Sequence, residues 1–497
     1  MWKRLTSLYL VIQFISTLLS SFPRKYKLTM HFSLVFLSFA ATVTLATAAT
    51  AAPAPACASS PMGLSFVNWD GAKSCEPSTF NAPASTEEVQ EFLQRTAGAQ
   101  AESNKVQCVG GGLSFSGIQL ADDAHMLTLH RMNKLLRIEK LADGSGDAEV
   151  TVQAGTRIRD LVLELDHHGL AMVNLGATAN QTIAGACATG THGTGTALGA
   201  LAASIRGLQI VSASGRVERL RSDSTSENER TLFAAAATGL GRMGVVTEVT
   251  VHVVPQWKMK MEQTPYALES LLADLPRLLQ EHPRLQWSWE PYTLNATLVV
   301  RSDVSWDTPI APAGPDGGCW SNTQKRNPCT DLSYKTLTDS AQHFSQRSLY
   351  TEMEMMIPAE HADAAVRAYI AWMDTVRDQH DESVQMSVML RYVAADKLLV
   401  SPFSGRDTAV MSFIVVGDAV SAGNQAEFEL YSRGLQEVCE TQFSGRPHWG
   451  KVNWVGEETP EYMHSVYPEL QAFKELAKKR DPEGRFLNEY LAARIGQ

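Results

Sequence analysis

Two long apolar runs open the chain, at residues 7–22 and 31–52, separated by Arg24, Lys25 and Lys27. Beyond them the apolar runs shorten to element length. Ser85 and Glu88 have capping-box spacing ahead of Val89, Phe92 and Leu93, which predicts a helix start. Residues 106–109 predict a short strand running into Gly110, Gly111 and Gly112. Residues 150–152 predict another strand, and Ile158, Leu161, Val162 and Leu165 recur at helical spacing. Further strands are expected over 205–218 and 244–254, with Pro255 closing the unit. From Trp257 onward the pattern predicts a helix at 266–280, strands near 285–300 and a loop at 301–330. A strand at 350–358, a helix at 359–377 and strands at 385–393 and 409–416 follow. The tail carries a helix around 470–479, stopped at Asp481-Pro482. Strands and helices mix irregularly and no repeat appears, so the expected fold class is α+β.

The length, 497 residues, and the apolar fraction, 44%, leave ample material for two or three domains with large cores. Charge changes the picture once it is divided along the chain. Residues 1–69 hold five of the 43 basic residues and no acid, which leaves 38 basic against 53 acidic residues in the body, a net of −15. Such a body lacks the basic footprint of a nucleic-acid binder, and its charge disfavours an anionic membrane surface. A basic flank, an apolar stretch and the small residues Ala54-Pro55-Ala56 form the pattern of a secretory signal over 1–56. Met30 is an alternative start that would drop the first run. An uncleaved membrane anchor and a mitochondrial presequence remain alternatives to secretion.

Seven cysteines fit an oxidising compartment. Cys57 with Cys75, and Cys319 with Cys329, are the expected disulfides. Cys108, Cys187 and Cys439 remain. There is no CxxC and no Cys/His cluster of zinc spacing, so no metal site is expected. Asn295-Ala-Thr297 is a glycosylation sequon. Asn180-Gln-Thr182 also matches and is expected to be buried.

Two segments carry candidate chemistry. In the first, the strand at 106–109 leads into Gly110-Gly111-Gly112-Leu113-Ser114-Phe115-Ser116. Glycines there let the backbone approach a ligand closely, consecutive N–H groups form an anion nest, and Ser114 and Ser116 add hydroxyls. It is neither GxGxxG opening a helix nor a phosphate loop with Gly-Lys-Ser/Thr. The second runs from Asn174 to Gly195 and is filled mostly by Gly, Ala and Thr. Such a run lets the chain lie along a flat, extended ligand. Its ligand-facing candidates are Gly176, Ala177, Thr178, Gln181, Thr182 and Gly185, then Thr189, Gly190, Thr191, His192 and Gly193.

Together these segments resemble the FAD-binding domain of the vanillyl-alcohol-oxidase type, in its aldonolactone oxidase group. Leu170-Ala-Met-x-Asn-Leu-Gly176, Gly239-Leu-Gly-x-x-Gly-Val-Val246, Arg391-x-Val-x-x-Asp396, His448-Trp-Gly-Lys451 and Asp481-Pro-x-Gly-x-Phe486 extend the resemblance over about residues 75–491. It implies a lead-in at 57–74, a two-subdomain FAD-binding domain at 75–255, a cap domain at 256–439 and a C-terminal segment at 440–497 that returns to the flavin. It also implies that the 110–117 loop holds the pyrophosphate, that 176–193 lines flavin and pyrophosphate, and that Val246 approaches the adenine.

The sequence departs from the family at two points. Leu113 stands where many members carry the histidine that bonds to the flavin, so the FAD is expected to be non-covalent. Members with Glu-x-Arg facing the flavin are matched here by Met389-Leu-Arg391, which keeps only the arginine. Strand alternation places Met389 with Arg391 on one face. Glu352 and Glu354 share a face of another strand and could substitute for the missing glutamate; the favoured expectation is that they pair structurally with arginines. The resemblance implies hydride removal from a carbinol carbon of a sugar lactone or polyol. Lys451 would stand at the flavin's negative edge, Arg391 at the substrate oxygen, and His448 at the substrate as contact or base. Gly176 resembles the oxidases, with dioxygen as acceptor and hydrogen peroxide as product. A polyol oxidase, a cytochrome-linked dehydrogenase and a sugar-binding protein without catalysis are the competing readings.

Overall fold

A computed structural model describes residues 59–60, 63–97, 104–310, 319, 327–338, 349–380, 384, 386–417, 422–456 and 459–496. The targeting segment and Cys57 lie outside these residues. Among the described residues no helix is long and apolar enough to cross a membrane.

The capping box forms as expected: Ser85 Oγ accepts from Glu88 N, and the helix Thr86–Thr96 buries Val89, Phe92 and Leu93. This helix and the strand Val106–Val109 frame a small sheet. In it, His125–Thr128 lies between Thr79–Asn81 and Val106–Val109, all parallel. The helix Ile158–His167 buries the four predicted apolar positions. It packs beside a six-stranded antiparallel sheet in which Val245–Pro255 lies between Ile205–Val211 and Ala148–Gln153. The run expected as one strand over 205–218 is two, Ile205–Val211 and Val217–Arg221, because Gly215 turns the chain at φ +81°.

The cap is an eight-stranded antiparallel sheet, ordered 329–332, 258–267, 295–304, 284–289, 386–393, 408–416, 350–358, 446–447. Its faces are set by strand alternation. Val388, Leu390, Met353, Met355, Met411 and Phe413 face the helices Leu268–Glu281, Ala362–Thr375 and Ala422–Phe443, forming one apolar core. Residues 352, 354, 389, 391, 412 and 414 face the opposite way. The 422–443 helix was not anticipated. Its buried Phe428, Tyr431, Leu435 and Val438 have helical spacing, interrupted in appearance by Gly434, where a Cβ would meet Trp372 at 2.2 Å.

The C-terminal segment joins both halves. Arg446–Pro447 adds an edge to the cap sheet, while Leu470, Phe473, Leu491 and Ile495 enter the core that holds Val150, Ile158 and Val249. Asp481, 1% exposed, accepts from Arg242 Nη1 at 3.1 Å and from the N–H groups of Arg485 and Phe486 at 2.8 and 2.9 Å. Cys319 and Cys329 form the expected disulfide. Asn295 is exposed at the start of its strand. Asn180 is half-buried rather than buried, with its side-chain oxygen accepting from Arg159.

Candidate functional site

Two adjoining cavities meet at the glycine loop. The first is bounded by residues 110–113, Thr182, Gly185, Thr189 and the 239–246 turn, including Val246. The second, of about 550 Å³, continues past Gly176, Ala177, Thr178, Thr191 and His192 to the open face of the cap sheet. Leu113, Ser114, Gln181 and Thr189 line both.

The wall between them is built for close approach. A Cβ on Gly110 would lie 2.4 Å from Thr182 Oγ1, one on Gly111 would lie 2.9 Å from Asn180 O, and Gly112 has φ +70°. Side chains are therefore excluded there, and the backbone itself forms the surface. The N–H groups of residues 111–114 have no partner among the described residues. Gln181 Oε1 is buried without a donor, in the residue that lines both cavities. An elongated ligand with an anionic middle and hydrogen-bonding ends satisfies all three features, and FAD has that chemistry.

Three expected cofactor residues stand behind this wall. Ser116 is buried, and its hydroxyl donates to Trp449 O at 2.7 Å, tying the loop to the C-terminal segment. Gly190 has φ +84° and backs onto Pro402. A Cβ on Gly193 would meet Asn174 Oδ1 at 2.4 Å. These two glycines fit the run's own folding rather than a ligand.

Register builds the cap side of the second cavity. Thr297 pairs with Ser288, Ser288 with Met389, Met389 with Ser412, and Ser412 with Glu354, giving one row across the sheet that is polar except at Met389. Two residues along, Gln286 pairs with Arg391. The expected Met389–Arg391 face is thus present, and both side chains line the cavity. Trp69, Phe115 and Tyr350 close one side, with Trp69 and Tyr350 ring centroids 5.2 Å apart.

The 448–452 segment runs beside the strand Tyr350–Pro358. His448 N donates to Glu354 O, Val452 N to Glu352 O, and Phe115 N to Gly450 O. This lattice sets Lys451 Nζ in direct contact with the Glu352 carboxylate, 3.8 Å from Glu354 Oε1 and 5.2 Å from the centre of the Phe115 ring. Burial pulls the Lys451 pKa down, but the two carboxylates outweigh it and hold the ammonium charged. Glu352 and Glu354 do not pair with arginines as expected. Glu354 accepts from Ser412 Oγ at 3.1 Å and faces His192 Nε2 at 3.4 Å. Burial opposes its charge, but Lys451 and His192 prevail and keep it well below the ordinary carboxylate range. Glu352 is raised, by burial and by Glu354.

His448 does not fit the role of base. Burial lowers its pKa to about 3, and its Nδ1 accepts from Gly450 N at 2.9 Å, so the lone pair is already used. His192, Glu354 and His448 have ligand atoms within 4.8 Å of one another, a grouping the sequence did not show. The Lys451 ammonium beside it opposes a cation, and the three side chains read as a hydrogen-bonded cluster. Cys187 is buried and pushed up to about 12 by desolvation, as is Cys108. Both remain protonated thiols.

A family model described as D-arabinono-1,4-lactone oxidase matches residues 319–494, and one described as FAD binding domain matches 77–221. The chain is 28% identical to L-gulonolactone oxidase of Mus musculus over 458 residues, covering 86% of this chain and 98% of the relative. It is also 28% identical to an L-gulono-1,4-lactone dehydrogenase of Mycobacterium tuberculosis over 452 residues, covering 86% and 98%. A cholesterol oxidase structure from B. sterolicum superposes with a TM-score of 0.71 at 16% identity, covering 89% of this chain and all of that one, which speaks to the fold alone.

Proposed function

We propose, from the premise that this chain belongs to the aldonolactone oxidase family of FAD-dependent oxidoreductases, that it oxidises the C2 carbinol of an aldono-1,4-lactone. The overall change is lactone plus dioxygen to 2-keto lactone plus hydrogen peroxide, and the keto lactone tautomerises to ascorbate or an analogue. The observation that carries this reading is the charge balance of the second cavity. Arg391 and Lys451 offset Glu352 and Glu354, and Gln263, Gln286, Ser288 and Thr297 add neutral hydrogen-bonding groups beside the apolar Val299, Met389 and Ile414. Such a lining suits an uncharged polyhydroxy ring.

The glycine loop, Thr182 and Gly185 hold the pyrophosphate in this proposal, with Val246 near the adenine and Gln181 at the junction. Bound FAD supplies the two-electron sink that side chains lack. Arg391 donates to the substrate oxygen. Lys451 keeps a fixed positive charge where the transferred charge accumulates. Anaerobic addition of an aldonolactone panel is expected to bleach the flavin band, and air is expected to restore it with release of peroxide. Bleaching by xylitol or sorbitol but not by lactones would replace the substrate class. Reoxidation by cytochrome c but not by air would replace the acceptor.

Leu113 presents an alkyl side chain to both cavities, while His125 is engaged by Thr79 and His130 is exposed on the surface. The flavin is therefore expected to be released by acid precipitation. A yellow pellet would show a covalent link. Secretion through the 1–56 segment is part of the same proposal. The Cys319–Cys329 disulfide supports it, since such bonds persist in oxidising compartments. A mature N-terminus near residue 57 on protein recovered from the medium is the expected result, and an intact 1–56 segment on membrane-bound protein would favour the anchor.

A further inference from the structure

Oxidation of a carbinol removes two hydrogens, and the reading above accounts only for the one that leaves with its electron pair. The hydroxyl proton needs an acceptor in the cavity. Among the described residues lining it, Arg391 and Lys451 are cations, and Met389 offers no proton acceptor. His448 already accepts through Nδ1, and His192 turns Nδ1 toward Gly193 O at 2.9 Å, so that nitrogen must donate. The proton between His192 Nε2 and Glu354 Oε2 then belongs to that pair. The other Glu354 oxygen takes the Ser412 hydroxyl.

Glu352 is different. The one hydrogen-bonding partner of its carboxylate among the described residues is Lys451. It lines the cavity, one strand alternation from Glu354, on a strand whose other face is closed against the cap helices. With both Glu354 oxygens engaged and Lys451 on Glu352 Oε2, Glu352 Oε1 is the carboxylate oxygen of the cluster with no hydrogen bond among the described residues.

We propose that Glu352 accepts the substrate's hydroxyl proton, with Lys451 as the cation that steadies it and Glu354, held by His192 and Ser412, as the neighbour that keeps it basic. This rests on the sugar-oxidation reading above. The substrate O–H bond breaks and its proton forms an O–H bond on the Glu352 carboxylate. The C–H bond breaks, its electron pair leaves with hydrogen as hydride to the flavin, and the carbon–oxygen bond becomes a carbonyl. Glu352 then returns its proton to solvent. The influences on Glu352 oppose one another: burial and Glu354 raise it, Lys451 and Arg391 lower it, and the net effect is a rise. A carboxylate raised in this way is a stronger base than one held at its ordinary value.

The test is Glu352→Gln, with Glu354→Gln beside it and Glu352→Asp as the conservative variant. In the holoenzyme the rate of anaerobic flavin bleaching is expected to fall as pH falls through the raised Glu352 ionisation. Glu352→Gln is expected to lose that limb and about 10²–10⁴ of the rate, and Glu352→Asp to recover part of it. A readout independent of turnover is the infrared carboxylic-acid band of the holoenzyme. A band that titrates with pH in the parent and in Glu354→Gln, and is missing from Glu352→Gln, is the expected result. A band and a pH limb that persist in Glu352→Gln and vanish in Glu354→Gln would overturn the assignment. If no lactone or polyol bleaches the parent flavin, the function reading fails while the infrared titration still decides the state of Glu352. If Glu352→Gln does not fold, the Glu352→Asp shift of the same band decides.

Discussion

The Lys451→Met variant is expected to bind FAD normally and to reduce it about 10²–10³ times more slowly with the best sugar substrate. Removing a fixed charge from the place where transition-state charge develops costs this much in dry sites. Flavin retention follows from the separation of tasks in the structure. The cradle at Gly110, Gly111, Thr182 and Gly185 makes no use of the ammonium, whose partners are Glu352, Glu354 and Phe115. Methionine keeps the packing on Phe115 and loses the charge together with the hydrogen bond to Glu352. Rapid mixing under anaerobic conditions, with the flavin-to-protein ratio measured in parallel, checks both halves. An unchanged rate would remove Lys451 from the mechanism.

The second large effect is structural. Asp481→Ala is expected to destabilise the fold by about 3–5 kcal/mol, because it leaves the Arg242 guanidinium, 6% exposed, without its carboxylate. Two backbone N–H groups, of Arg485 and Phe486, lose their acceptor in the same step. Burial already works against the charge on Arg242, so no water shell compensates. Denaturant unfolding of the holoenzyme, compared with Asp481→Asn, reads the loss. A cost under about 1 kcal/mol would mean that the pair is hydrated in solution.

Much of the flavin half was legible in the sequence because its determinants are local. A capping box, a strand ending in glycines and a helix stripe each operate within a few residues, and each formed where expected. The cap's chemistry was less legible. Glu352 and Glu354 were recognised as sharing a face, but their partners come from residues 192, 412 and 451, and pairing across such separations is set by strand order. The serine at 412 is an ordinary strand residue until register places it between Met389 and Glu354. Ser116, Gly190 and Gly193 show the converse ambiguity. They sit inside ligand-type motifs, yet a small residue is also what a chain needs to pack against Trp449, Pro402 or Asn174. Glycine and serine look the same in sequence whether they make room for a ligand or for the protein's own backbone.

The order in which the chain is made gives the 446–452 segment a further meaning. Its partners at the cavity, Phe115, Glu352 and Glu354, all emerge from the ribosome before it does. A nascent chain synthesised through the cap sheet already has its glycine cradle but lacks the ammonium that contacts Glu352 and stands beside Glu354. Until Lys451 arrives, Glu352 has no cation in contact to offset its repulsion from Glu354, and the cap strand 350–358 has an unfilled edge. A chain terminated before that point is therefore marked as defective at its own active site, by the repulsion that the finished protein turns to use.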